Sequence, residues 1–320
     1  MQAVKKQGAP RNAINTKTKF GTWLKSCKTH RALLMMLIPG IIYYILFKYK
    51  PMYGLLIAFK EYNLMDGVMA SPWAGLKYFK LAFGSADFWQ VFKNTLILSG
   101  YKLLFTFPAP IILALLLNEV RNTKFKKCVQ TVTYLPHFLS WVVLSGIIIN
   151  FLSPSSGPVN MILRACGMEP IYFMGEKKLF RGVLVISSIW KEVGWSSIVY
   201  LAALTGVDTQ LYEAASLDGA GRLRQTFTVT LPAIANVVVI MLIMQVGKIL
   251  NDDFDQIFNM YNPAVYSVSD VLSTYIYKMG LEQAMYSFST AMGLFKNVIA
   301  FTLVIITNTI STKVSDYGLW

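Results

Sequence analysis

Charged side chains are scarce in this 320-residue chain: Asp, Glu, Lys and Arg together supply 14% of it, where soluble domains carry roughly a quarter. Hydrophobic residues supply 55% and mean hydropathy is +0.48. That balance excludes an ordinary soluble globule and points to the bilayer. Cysteine is nearly absent. Cys27, Cys128 and Cys166 are scattered, which excludes a disulfide framework and any cysteine metal spacing. The two histidines, His30 and His137, are too few and too isolated for a metal site or a catalytic relay. No Gly-x-x-x-x-Gly-Lys-Ser/Thr loop occurs, so the chain has no motif for cradling nucleotide phosphates. No acid or nucleophile stands at a catalytic spacing, and neither an enzyme nor a cofactor on this chain is expected.

What is abundant is apolar sequence. A helix crossing a hydrocarbon core of ~30 Å needs about 20 residues, and six runs are long enough: 32–50, 94–117, 129–152, 180–204, 233–257 and 287–312. The expected fold is therefore all-α, a polytopic membrane protein with six transmembrane helices spanning residues 32–320. A basic cytoplasmic tail, 1–31, precedes them, and its first twenty or so residues are too polar to order themselves. The first apolar run follows that tail and is followed by five more, so it is not read as a cleaved signal peptide.

Lysine and arginine placement orients the chain. With the amino terminus inside, the inner segments 1–31, 118–128, 205–232 and 313–320 hold eight, four, two and one basic residues. The longer outer segments 51–93, 153–179 and 258–286 hold four, three and one. Both termini are accordingly expected in the cytoplasm of a multi-pass protein of the bacterial plasma (inner) membrane. The net charge of +14 sits largely in basic clusters flanking spans. Anionic headgroups explain it more simply than nucleic acid, which is not expected as a partner.

Two spans carry helix breakers. Pro108 and Pro110 predict a kink or break in the second, and Pro136 does so early in the third. Gly146, Gly194, Gly206, Gly247 and Gly293 offer places for close helix approach. Short outer helices are expected near 159–164 and 267–279. The tyrosines of the second outer loop suit either an external partner or the bilayer interface. The aromatics between Tyr53 and Phe79 favour an interfacial belt.

A polar hairpin stands between two of the apolar segments. Asp208 or Thr209 is placed to cap a helix over Gln210–Leu217, Asp218-Gly219 supplies a turn, and a second helix runs from about Arg222 to Thr230. Pro232 then presets entry to the next span.

Ionisable residues inside spans are costly and mark function by default. They are Lys102, Lys191, Glu192, Lys248 and Lys296, with Asn251, Asp252, Asp253 and Asp255 toward the outer end of the fifth span. Lys191 and Glu192 are adjacent and point about 100° apart, so they do not pair along one helix face. Interhelical salt bridges, such as Glu192 with Lys248 or Lys296, compete with a cation-lined aqueous cavity as the reading of this set.

The hairpin resembles the EAA loop of binding-protein-dependent ABC importers: Glu213, Ala214 and Ala215, then Asp218 and Gly219, then Leu231 and Pro232 stand at the family's offsets. Further stretches look like the LplB-type permeases of the carbohydrate branch: FPAPIILALLLNEVR over 107–121, TYLPHF over 133–138, NPAVY over 262–266 and the terminal YGLW. The likeness covers the chain after about residue 30. It implies a type I importer permease fold whose coupling loop, 208–232, docks an ATPase. It also implies a heterodimer with a second homologous permease and two ATPase subunits that bind ATP and Mg. A periplasmic or lipid-anchored solute-binding protein completes the assembly, and the cargo is an oligosaccharide, acidic and alginate-like or neutral. In such permeases the fourth to sixth spans line the pathway. A sugar site also needs flat aromatic surface and amide partners, which adds Trp190, Trp195, Tyr200, Asn251, Phe254 and Asn297 of those spans as candidates beside Lys102, Lys191, Glu192, Lys248, Asp255 and Lys296. An ion-coupled secondary transporter is the competing class, but no half-chain repeat of the kind common there is visible.

Overall fold

The computed structural model describes residues 29–250, 254–315 and 318, so most of the basic tail and Asn251, Asp252 and Asp253 lie outside the described residues. The chain divides into two compact units, Met1–Leu56 and Ile57–Trp320. Among the described residues the secondary structure is helical, with one isolated antiparallel bridge between Lys60 and Trp73 and no strand.

The first unit contains α1, Arg31–Tyr44, which exposes Leu33, Met36 and Ile41 alike. A helix apolar on all sides suits hydrocarbon rather than water. The helical run continues to Phe59, beyond the expected end at residue 50. A π turn at Ile45–Tyr49 precedes a fresh helical turn, Lys50–Met52, that carries Pro51 near its start, where a missing N–H is tolerated.

In the second unit, α2 (Ala86–Tyr101) and α3 (Pro108–Glu119) form one run of 34 residues. The prolines do not interrupt it. The helix widens into a π turn over Lys102–Thr106, and Pro108 falls at the start of the next segment.

The third expected span, 129–152, is not a single helix. α4 (Thr123–Tyr134) runs on through a 3₁₀ turn, Leu135–Phe138, that carries Pro136, and this run meets α5 (Trp141–Phe151) at 108°. The break falls at Leu139 and Ser140, where Ser140 restarts the chain by accepting from Val143 N–H. The 11 residues of α5 reach only ~16 Å.

Next come α6 (Pro158–Ala165) and α7 (Lys177–Leu204), a helix of 28 residues that matches the fourth expected span. Then α8 (Thr209–Leu217), a helical run over Arg222–Ala233 called α9, and α10 (Ala235–Gly247) follow. α9 and α10 meet at 66°, so the fifth span is also bent. The segment after α10 holds α11 (Phe254–Met260) and α12 (Leu272–Tyr277), and α13 (Tyr286–Ser315) is the last described helix. Among the described residues three helical runs are long and apolar enough to cross a membrane, or five if each bent pair is one span. The expected six arise only if α7, with Lys191 and Glu192 at mid-length, is counted as well.

α7 is the central strut. Its buried Phe180, Leu184 and Val185 pack with Leu144 and Ile148 of α5 and Ile257 of α11. Farther along, Tyr200 and Leu204 pack with Ala114 of α3 and Ile234. Small polar groups are buried among them, including Thr95, Ser99, Ser187, Ser188 and Ser197. Helix association in lipid relies on close packing and interhelical hydrogen bonds, which such residues provide.

Candidate functional site

The π turn between α2 and α3 decides where Lys102 lies. Its side chain enters a cavity of about 360 Å³, lined also by Thr106, Ser188, Glu192, Gln245 and Lys248. Its ammonium donates to Gln256 Oε1 at 2.8 Å. Gln256 is fully buried and every polar atom of its amide is used: Oε1 also accepts from Ser188 Oγ at 3.0 Å, and Nε2 donates to Leu184 O at 2.7 Å and to Ser187 Oγ at 2.8 Å. The amide is therefore a fixed anchor joining the π turn after α2 to α7 and α11 beside the cavity. Burying an amide is tolerable only with such complete satisfaction.

The broken third span shapes the cavity's flank. A helix break leaves carbonyls without partners, and Lys191 supplies them: its buried ammonium donates to His137 O at 3.0 Å and Leu139 O at 2.5 Å. It also stands 5.4 Å from the Trp141 ring centroid. Glu192, next in sequence, places Oε2 3.1 Å from His137 Nδ1. The His137 ring stacks on Trp195 with centroids 4.6 Å apart and planes 3° apart. The adjacent pair thus holds one broken segment through two different atoms, while Glu192 still reaches the cavity.

Of the residues singled out in the sequence, the fold brings Lys102, Glu192, Tyr200 and Lys248 to the cavity, and gathers Lys191 and Trp195 at the break. Trp190 lines a different, apolar pocket with Phe151 and Phe173. Lys296 lies half-buried on α13, and Asn297 and Asp255 are exposed. Asn251 lies outside the described residues. Phe254 begins a ladder of half-exposed rings: it lies 5.0 Å from Phe258 and 5.2 Å from Tyr277, and Phe258 lies 5.8 Å from Tyr261. Tyr261 lies 4.8 Å from Tyr266, and Lys278 Nζ stands 4.0 Å over the Tyr266 ring while paired with Asp270 at 3.0 Å. Burial first, then the neighbouring Tyr266 and Asp270, push the Tyr261 phenol up, so the ring stays neutral.

Sequence reasoning missed Gln256 and His137. Neither has a local signal: Gln256 follows the acidic run Asp252, Asp253 and Asp255, which carries the charge of that stretch, and His137 stands isolated from any other histidine or cysteine.

The hairpin over 208–232 is built as its sequence predicts locally. Asp208 caps α8 by accepting from Gln210 N–H at 2.9 Å. Ala220 N–H donates to Ala215 O and Gly219 N–H to Ser216 O, closing the helix with Gly219 at φ +76°. Tyr212 Oη lies 3.1 Å from Thr230 Oγ1, and Gln225 Nε2 donates to Ser216 Oγ at 2.8 Å, so two cross-links pin the arms together. Glu213, Ala214 and Asp218 are exposed, Ala215 is half-buried, and Leu231 and Pro232 lie at the entry to the following helix. The hairpin exposes four large apolar side chains, Leu211, Leu217, Leu223 and Phe227, with Leu217 at 90% and Leu223 at 78%.

Residues 107–316 match the family of binding-protein-dependent transport system inner-membrane components. The chain is 44% identical over 316 residues to Protein LplB of Bacillus subtilis (strain 168), covering 99% of this chain and 98% of that one. It is also 44% identical over 288 residues to the polygalacturonan/rhamnogalacturonan transport system permease protein YteP of the same organism, covering 90% of each. A chain in the crystal structure of a bacterial alginate ABC transporter, in complex with an alginate pentasaccharide-bound periplasmic protein, superposes with a TM-score of 0.86 at 42% identity. The match covers 92% of this chain and 99% of that chain. With two thirds of the sequence inside the family match and the polar cavity and helical hairpin both formed, the chain belongs to the binding-protein-dependent transport system inner-membrane components.

Proposed function

We propose that this chain is one permease half of an ATP-driven importer of acidic oligosaccharides, crossing the bacterial inner membrane six times with both termini in the cytoplasm. It pairs with a second homologous permease. Two ATPase subunits bind ATP and Mg and drive it from inside, and a periplasmic or lipid-anchored binding protein delivers the cargo from outside. The chain itself is not catalytic.

The observation that carries the reading is the cavity: among its described lining residues Lys102 and Lys248 stand with one carboxylate, Glu192, which also meets His137. Ionisable side chains facing a cavity inside a membrane domain mark a substrate path by default, and a lining that carries two ammonium groups is electrostatically complementary to carboxylates on a sugar chain. Alginate, an acidic polysaccharide, is the cargo of the structurally similar transporter. The ring ladder from Phe254 to Tyr266 adds flat apolar faces, which suit the C–H faces of pyranose rings. The hairpin over 208–232 supplies coupling: Glu213, Ala214, Ala215, Asp218 and Gly219 form a rigid knob for the ATPase, and Leu231-Pro232 transmits its movement to α10.

The test is ATPase activity of the complex in proteoliposomes with its loaded binding protein, comparing uronate oligomers with neutral ones of equal length. Stronger stimulation by the uronates, reduced by Lys248→Ala, is the expected result. Equal or better stimulation by the neutral sugars overturns the charge argument and leaves the importer assignment standing. No stimulation by any loaded binding protein overturns the importer assignment.

A further inference from the structure

A second recess, about 640 Å³, lies between α2 and α7 and shares no lining residue with the polar cavity. Its floor is apolar: Tyr101, Phe105, Val185, Ile186 and Ile189. Its rim is basic, formed by Lys177, Lys178 and Arg181 from the first turns of α7. The two parts follow one another along a single helix face, because residues 178, 182, 185 and 189 recur at spacings of four, three and four. From Arg181 to Ile189 the face descends ~12 Å.

The rim is prepared for an anion. Arg181 is half-buried, and two bonds fix its guanidinium: Nε donates to Val268 O at 3.1 Å and Nη2 to Asn94 Oδ1 at 2.8 Å. Lys177 and Lys178 are exposed beside it. Glu176 precedes them, yet among the described residues none of the three cations enters a salt bridge. Basic side chains at a span's end ordinarily snorkel to the headgroups. Here they surround a formed groove, and one of them is held rigidly.

We propose that this groove binds an anionic phospholipid, the phosphate on Lys177, Lys178 and Arg181 and an acyl chain along Phe105, Ile186 and Ile189. A lipid fits both halves of the recess. A hydrated uronate chain would match the rim but leave the apolar floor uncompensated.

The test uses the chain purified in its membrane complex from nanodiscs holding equal phosphatidylglycerol and phosphatidylcholine, with retained lipid counted by native mass spectrometry. Wild-type complex is expected to retain phosphatidylglycerol over phosphatidylcholine by about tenfold. Lys177→Gln/Lys178→Gln should abolish most of that preference without altering assembly, since both side chains are exposed. Ile186→Trp, which fills the floor and keeps every charge, should reduce retention of both lipids. Equal retention of the two lipids by the wild type, or an unchanged preference in the lysine variant, overturns the proposal. So does displacement of the lipid by uronate oligomers, which would assign the groove to cargo. Protection of Lys177 and Lys178 from acylation in delipidated complex would assign it to the second permease and likewise overturn it. None of these outcomes bears on the importer reading, which is judged by ATPase stimulation.

Discussion

Gly194 of α7 lies directly against the backbone of Thr133 in α4: a Cβ on Gly194 would stand 2.2 Å from the Thr133 carbonyl oxygen. The obstacle is main chain, so it cannot rotate away. This contact seats the broken third span on the central strut and positions Lys191 to reach the carbonyls of His137 and Leu139. Gly194→Ala should therefore lower the thermal stability of the purified complex, overpacking of this kind costing about 1–3 kcal/mol. Gly146→Ala, with nothing within 4 Å of the added methyl, is the control. Equal melting temperatures for the two variants would refute the close-packing role.

Gln256→Leu removes an amide that satisfies Lys102, Ser187, Ser188 and the Leu184 carbonyl at once. Ser187 keeps its bonds to Val183 O and Leu184 O, but losing a buried hydrogen bond to a charged group such as Lys102 costs about 1–3 kcal/mol, so the variant should be recovered from membranes in reduced amount. Lys102→Met/Gln256→Leu, which removes the charge as well, should recover part of the loss. A Gln256→Leu complex as stable as wild type would show that the cluster is not an anchor.

At the hairpin turn, Gly219 occupies the left-handed region at φ +76° with open space around it. Strain, not collision, is what a side chain would meet there. Gly219→Val should lose ATPase coupling and transport while the protein still inserts, because a β-branched residue costs about 1–2 kcal/mol in that conformation. Gly219→Asn, which tolerates it, should keep most of the activity. Normal transport by the valine variant would remove the turn from the coupling mechanism.

Two native cysteines report the topology. Cys128 and Cys166 are both free and exposed, and the charge bias puts Cys128 inside and Cys166 outside. A membrane-impermeant maleimide applied to intact cells should label Cys166 in a Cys128→Ser background and leave Cys128 unlabelled in a Cys166→Ser background. The reverse pattern would invert the orientation and place the 208–232 hairpin on the wrong side for an ATPase.

Several elements were legible because their causes are local. Low charge density and long apolar runs put the chain in the membrane wherever it folds, since the hydrocarbon thickness selects the length of each helix. The hairpin is legible for the same reason: the Asp208 cap, the Gly219 turn and the arms they join are settled within a few residues of each other. The 28-residue α7 likewise follows from its own run of apolar sequence.

Other features depended on partners that sequence proximity does not reveal. Lys102 and Gln256 are 154 positions apart, and His137 and Glu192 are 55 apart. Pro108 and Pro136 look alike in sequence, yet one is absorbed by a π turn and the other accompanies a 108° bend. What separates them is whether packed neighbours can satisfy the backbone groups that a broken helix releases; at Pro136 the Lys191 ammonium arrives from another helix to do so. Composition and local pattern thus determined that this protein is a helical membrane domain with a rigid polar hairpin. The cavity, its buried amide anchor and the break beside it were decided by tertiary structure, because a polar group can remain in an apolar interior only where distant parts of the chain meet to satisfy it.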